Sequence, residues 1–143
     1  MDFDPNAIKE QFEFLRRLDA DFSGKFFELL LERDTELQQL FRYGNTKEQV
    51  EFFDKNLEFI VSHIHDPYIL VPHLKNLGAR QLKFGVRQQL YGLFGAVFLS
   101  TLALHFKEKW NSQTEQNWNK MYEWVASTML QGMSQEEGNP RAA

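Results

Sequence analysis

PHLKNLGARQLKFGVRQQLYGLFGAVFLSTLALHF, residues 72–106, is the stretch on which the fold turns. Pro72 opens a helix, because proline has no N–H to lose in a first turn and its φ is already helical. Leu74 and Leu77 recur on one face and lead to Gln81. Gly85 reads as the glycine that ends this helix. Leu90–Phe106 then forms a strongly apolar helix. On it Gly92 and Gly95 lack a Cβ and admit close approach of another helix.

The same periodicity extends in both directions. Asp4-Pro5 reads as an N-cap followed by a first-turn proline, and Ile8, Phe12, Leu15 and Leu18 then recur at helical spacing. A second helix carries Phe22, Phe26, Phe27, Leu29, Leu30 and Leu31. Thr35 caps a short helical turn that ends at Leu40-Phe41, and Arg42 to Thr46, with Gly44, reads as a loop. A long helix presents Val50, Phe53, Leu57, Ile60, Val61 and Ile64 on one face until Asp66-Pro67 stops it. Beyond the apolar helix, Trp110-Asn111-Ser112 is a turn with Asn111 or Ser112 as cap. A last amphipathic helix bears Trp118, Met121, Tyr122, Val125, Met129 and Leu130. The polar residues from Ser134 onward read as a disordered tail. The expectation is an all-α bundle with one domain over residues 1–133 and a tail over 134–143.

Composition narrows the class further. A chain of 143 residues and 16.9 kDa suits one domain. The absence of cysteine excludes disulfides, thiolate metal sites and thioether-linked cofactors, and suits a reducing cytoplasm. With a net charge of −4, a pI of 5.6 and no Lys/Arg stripe, nucleic acid is not an expected partner. The N-terminus has no basic start or apolar run of a signal peptide. No stretch reads as the roughly 18 apolar residues that span a bilayer, so no membrane partner is expected. Fourteen phenylalanines exceed what core filling needs and point to an aromatic-lined cavity.

The string Pro72-x-Leu74-x-x-Leu77-Gly78-x-x-Gln81-x-x-x-Gly85-Val86 resembles the proximal-helix signature of bacterial globins at every position except one. Gln81 stands where that family carries its iron-binding histidine. Tyr91, the apolar helix, Trp110, Trp118 and Tyr122 resemble the last two globin helices in order and spacing. Phe41 resembles the phenylalanine that packs on the heme face. The resemblance covers residues 6–132 and is closest to single-domain bacterial globins and the globin part of flavohemoglobins. It implies a three-on-three globin fold and a heme pocket. In that pocket Phe27 lies on the distal side, where many bacterial globins have tyrosine. Gln49 and Phe53, or in the other register Glu48 and Phe52, face the ligand. Tyr91 matches a tyrosine near the proximal histidine, and Gln116 takes the place of the acidic residue that completes the network.

These departures change the chemistry. An imidazole is a good donor to iron on a rigid ring, oriented by its second N–H. An amide nitrogen has a delocalised lone pair and an amide oxygen is a weak neutral donor, so Gln81 ligates iron weakly or not at all. A buried Gln81 needs a partner, since an unsatisfied amide costs about 1–3 kcal/mol; Tyr91 is the candidate. His73 lies eight residues before Gln81, about 12 Å along the helix, so it reaches a heme edge rather than the centre. His63, His65 and His105 read as helix-end histidines. Arg80, Lys83 and Arg87 either pair with tetrapyrrole propionates or remain solvated helix-end charges.

Three functions follow from the resemblance. The first is a binding protein for heme b or another tetrapyrrole, with atypical iron ligation and a role in gas-ligand or redox sensing. In it Phe27, Phe41, Phe53, Leu77, Val86, Phe94 and Phe98 supply most of the affinity. The second is a heme-free regulatory or interaction module, with no cofactor or an apolar ligand and a homodimer through the last two helices. The third, a nitric-oxide dioxygenase or peroxidase, fares worst, because the proximal electron push is lost and no reductase part is present. A binding role is therefore expected ahead of an enzymatic one.

Overall fold

The computed structural model describes residues 2–41, 46–83 and 88–138. Among these the chain forms α1 (Pro5–Leu18), α2 (Phe22–Arg33), α3 (Thr35–Phe41), α4 (Thr46–Ser62), α5 (Pro67–Lys83), α6 (Leu90–Phe106) and α7 (Ser112–Glu137), with a 3-10 turn at Lys107–Lys109 and no strand. The expected all-α bundle is the observed one.

Side-chain caps set the starts of three helices. The Asp4 carboxylate accepts from the N–H groups of Asn6 and Ala7 at 3.0 and 3.3 Å, and Pro5 follows in the first turn. Asn117 on α7 clasps the Asp4 backbone from both sides, at 2.7 and 3.1 Å, and so fixes the entry of α1. Asn111 caps α7 by accepting from Thr114 N–H at 2.9 Å. The expected cap at Thr35 is corrected: Asp34 accepts from Glu36 N–H at 2.7 Å, and Thr35 is already the first residue of α3. A carboxylate is the stronger acceptor for an orphan helix N–H.

The start of α5 is also corrected. It opens at Pro67 rather than Pro72, with the Asp66 carbonyl accepting from Ile69 and Leu70 N–H at 3.2 and 3.0 Å. Pro72 lies inside the helix. Its missing N–H strips a partner only from the carbonyl of Tyr68, whose side chain is 92% exposed, at an end of the helix where water is at hand. At the other end of the chain α7 runs to Glu137, four residues into the segment read as a tail.

The core draws on every long helix. Ile8 and Leu15 of α1, Phe22 and Phe26 of α2, Leu74 of α5, Leu102 of α6 and Trp118 of α7 are all essentially inaccessible. Each such side chain contributes about 1.5–3 kcal/mol by leaving water. Trp118 is buried with its indole N–H donated to Gln11 Oε1 at 2.7 Å, so its one polar atom is satisfied. Leu90–Lys109 is, by length and composition, apolar enough to cross a membrane, which the sequence reading had not recognised. The core supplies a different reason for its apolarity, since α6 buries Val97, Phe98, Thr101, Leu102 and Phe106 within the bundle.

The closest helix crossing is that of α5 and α7. A Cβ on Gly78 would lie 1.9 Å from the Met129 carbonyl oxygen, and one on Gly132 would lie 2.0 Å from the Lys75 carbonyl oxygen. The two backbones therefore touch where side chains would normally separate them. On α6, Gly95 makes the close approach expected of the glycine pair: a Cβ there would sit 2.4 Å from the Tyr122 ring. Gly92 faces open space.

Polar clasps close the remaining corners. Asp19, which ends α1, accepts from Lys25 Nζ at 2.6 Å and pairs with His105 Nε2 at 2.9 Å. The α1–α2 corner is thereby tied to the end of α6. The hydrogen bond from Lys25, with that from His105, holds the Asp19 carboxyl at about 2. Arg16 Nη1 and Ser23 Oγ both donate to Asp54 Oδ1, at 2.7 and 2.5 Å, and join α1, α2 and α4.

Three outcomes are expected. Gly78→Ala and Gly132→Ala each lower the urea midpoint by an amount equal to about 1–3 kcal/mol, the cost of overpacking. Gly92→Ala leaves stability unchanged or raises it by about 1 kcal/mol, because a helical glycine is replaced where nothing clashes. In acid, the Asp19 pKa is depressed from 3.8 to about 2, so its stabilising effect is full above 3.8 and is lost as pH falls through 2. The stability difference between wild type and Asp19→Asn should vanish over that window.

Candidate functional site

Four of the aromatic residues singled out in the sequence meet inside the bundle. Phe53 of α4 lies 5.5 Å from Phe27 of α2, 5.7 Å from Phe94 of α6 and 6.5 Å from Phe98, ring centre to ring centre. Phe26, read from the sequence as ordinary core, is the hub of this group. It stacks on Phe53 at 4.8 Å and meets Phe94 edge-on at 4.8 Å. Its position beside Phe27 on a helix gave no sign of this, because adjacent helical residues usually diverge. Phe98 links the group to Trp118 and Tyr122.

On α4 the two registers differ in burial. Phe53 joins the interior group, while Phe52 is 50% exposed. One helical turn before Phe53, Gln49 shares its face. Gln49 Oε1 is buried and without a hydrogen-bond partner. Glu48, in the other register, is exposed. The side chain of Phe41 and all of Val86 and Arg87 lie outside the described residues, as does the side chain of Lys83.

Gln81 on α5 has the partner expected of it. Tyr91 Oη donates to Gln81 Oε1 at 2.5 Å. Burial pushes the Tyr91 hydroxyl up to about 12, so it remains a donor at any physiological pH. Tyr122 Oη in turn donates to the Tyr91 backbone carbonyl at 2.6 Å, and burial raises its own pKa as well. The chain of support runs from Gly95, which makes room for the Tyr122 ring, through Tyr122 to Tyr91 and Gln81. Gln116 takes no part in it. It is exposed near the start of α7, in a groove with Asn117 and the N-terminal residues. Six residues separate it from Tyr122, about 9 Å along the helix. Tyr122 is the third member of the network instead. Its place one turn after Trp118 on the apolar face of α7 read only as core.

Between α4 and α5 lies an open cleft of about 270 Å³. Phe52, Lys55, Asn56 and Phe59 line one wall, and His73, Asn76, Leu77 and Arg80 the other. The walls meet at its inner end. There His73 stacks on Phe59 at 4.1 Å and pairs through Nε2 with Asn56 Oδ1 at 2.8 Å. Burial first, then the charge of Arg80, lowers the His73 pKa and favours neutral imidazole. His63 stacks on the other face of Phe59 at 4.2 Å. Leu77 is buried at the cleft, and Arg80 is part of its lining. Among the described residues no three His, Cys, Asp or Glu side chains are grouped to hold a metal ion.

The globin family matches the chain over residues 24–129. Three similar proteins are fish neuroglobins. That of Tetraodon nigroviridis is 27% identical over 142 residues, spanning 90% of this chain and 89% of the relative. Those of Danio rerio and Chaenocephalus aceratus are each 28% identical over the same spans. The family read from the sequence is thus the one found, and the bacterial subgroup is not represented among these three.

Replacing Tyr91 with Phe should lower stability by about 1–3 kcal/mol, because the Gln81 amide loses its donor. It should also remove an ionisation near pH 12 from the phenolate titration. An unchanged urea midpoint would show that the hydrogen bond contributes nothing to the fold.

Proposed function

Because the chain belongs to the globin family, we propose that it binds a tetrapyrrole through apolar contact rather than through a protein bond to iron. The observation that carries this reading is the Tyr91–Gln81 hydrogen bond, which commits the amide oxygen at the one position where the family signature places the iron ligand.

Heme is the group the family implies, and its two parts fare differently here. For the ring, Phe27, Phe53, Phe94 and Phe98 offer apolar surface in the interior group, and the α4–α5 cleft offers aliphatic Leu77 and Arg80, a cation for a propionate. A large apolar ring released from water supplies affinity in proportion to the area covered. The iron does not suit the site. Gln81 Oε1 already accepts a hydrogen bond and is a weak neutral donor. His73 is stacked on Phe59 and held by Asn56, and His105 is held by Asp19 and Thr101. His63 is stacked on Phe59 with Nδ1 on the Phe59 carbonyl. The residues of the chain therefore bind and orient a ring, exclude water from its faces and pair with its acid groups. A sensing role fits a ligand held this way, since it requires no catalysis.

The heme-free reading retains one specific support. Phe26, Phe53, Phe94 and Phe98 already contact one another, so their apolar faces are partly satisfied without a ligand. Titration of hemin into the purified protein separates the two. The expected result is uptake of one equivalent, by pyridine hemochrome, with a Soret band unlike that of a histidine-ligated globin. Gln81→His should restore an ordinary globin spectrum and tighten hemin binding at least tenfold. Absence of stoichiometric uptake by the wild type would favour the heme-free module.

A further inference from the structure

The α4–α5 cleft carries charge of one sign. Lys55 belongs to one wall and Arg80 to the other, with no carboxylate among the lining residues. The whole of α5 holds no acidic residue. On α4, Asp54 is held by Arg16 and Ser23, while Glu51 and Glu58 are exposed and outside the lining. Among the described residues neither Lys55 nor Arg80 forms an ion pair. Burial and then the Arg80 charge lower the His73 pKa, so that charge is felt inside the cleft. The apolar lining is also uncommitted at one point. Phe52 leaves half of its surface in solvent, in a lining that includes buried Leu77. The inner end is closed, because His63 and His73 stack on Phe59 and Asn56 spends both ends of its amide, on His73 and on the Phe52 carbonyl.

We propose that this cleft binds a small planar aromatic carboxylate, with its ring on Phe52 and Leu77 and its acid group on Arg80 and Lys55. Size sets the upper bound. The cleft of about 270 Å³ equals the liquid volume of roughly nine waters, which admits one or two fused rings. A long alkyl chain has nowhere to run, because the contacts among His73, Phe59 and Asn56 close the inner end. Planarity follows from the walls: a flat ring stacks on Phe52 and covers apolar surface that otherwise faces water. Charge follows from the cations. The Arg80 guanidinium offers a fork of donors that matches a carboxylate, and Lys55 adds a point charge from the facing helix. Both parts of the ligand are needed. Exposed cations gain little from a small ion that water already solvates, and a neutral ring leaves them unmatched. This binding requires no iron and goes beyond the tetrapyrrole reading, although a propionate on Arg80 would compete for the same cation.

Naphthoate and its neutral amide, naphthamide, differ only in the acid group. They serve as probes of the full chain, free of tetrapyrrole, by calorimetry and by NMR of the histidine side chains. Naphthoate should bind at submillimolar concentration and shift the resonances of His73 more than those of His105, which is held by Asp19 away from the cleft lining. Naphthamide should bind about fivefold more weakly. Arg80→Gln, at an exposed position, should weaken naphthoate about fivefold and leave naphthamide unchanged. Equal binding of the two probes by the wild type would overturn the proposal. So would naphthoate binding that leaves His73 unmoved, or no binding at millimolar concentration. The wild-type comparison needs no variant to fold. None of these outcomes bears on hemin uptake, so the tetrapyrrole reading stands or falls on its own titration.

Discussion

Two backbone contacts with no room for a methyl group hold α5 against α7, and the rest of the site is arranged from them. Gly78 lies on the Met129 carbonyl and Gly132 on the Lys75 carbonyl. Close-packed interiors transmit such a constraint, because they contain few voids into which a helix can slide. With α5 seated, Gln81 is delivered to Tyr91. With α7 seated, Tyr122 is delivered to Gly95 and to the Tyr91 carbonyl. A side chain at any of the three glycines would push on a different member of the same chain of support.

The Gln81–Tyr91–Tyr122 network is neutral. The interior group is made of phenylalanine rings, and the charged clasps at Asp19 and Asp54 border the core through His105 against Phe22 and through buried Ser23. Aromatic pairs in this group contribute about 0.5–1.5 kcal/mol each beyond burial. A single unsatisfied amide costs about 1–3 kcal/mol. Globin membership defines the scaffold.

Local signals in the sequence were legible where a side chain acts on its own backbone. Asp4-Pro5, Asn111 and the extent of Leu90–Phe106 emerged as read. Errors arose where two such signals compete. Pro67 and Pro72 both look like helix openers, and only the Asp66 carbonyl, with its two N–H donors, decides for Pro67. Asp34 displaced Thr35 as a cap for a similar reason. The Gln81–Tyr91 bond was legible because a buried amide demands a donor and the motif left one candidate. Gln116 was misplaced, since sequence spacing says nothing of which turn of α7 crosses Tyr91; that is set by Gly95 and the ring of Tyr122. The hub position of Phe26 and the His73–Phe59–His63 stack were illegible too, because they depend on how α2, α4, α5 and α6 cross rather than on any one helix.

The central claim is that the chain holds a tetrapyrrole without a strong protein bond to iron, because Tyr91 has claimed Gln81. Resonance Raman spectroscopy of the ferrous hemin complex tests it most directly, through the stretching vibration between iron and a protein imidazole. The account predicts that this band is absent in the wild type and present in Gln81→His. A wild-type spectrum with an iron–imidazole band would contradict it, since one of the four histidines would then ligate the metal.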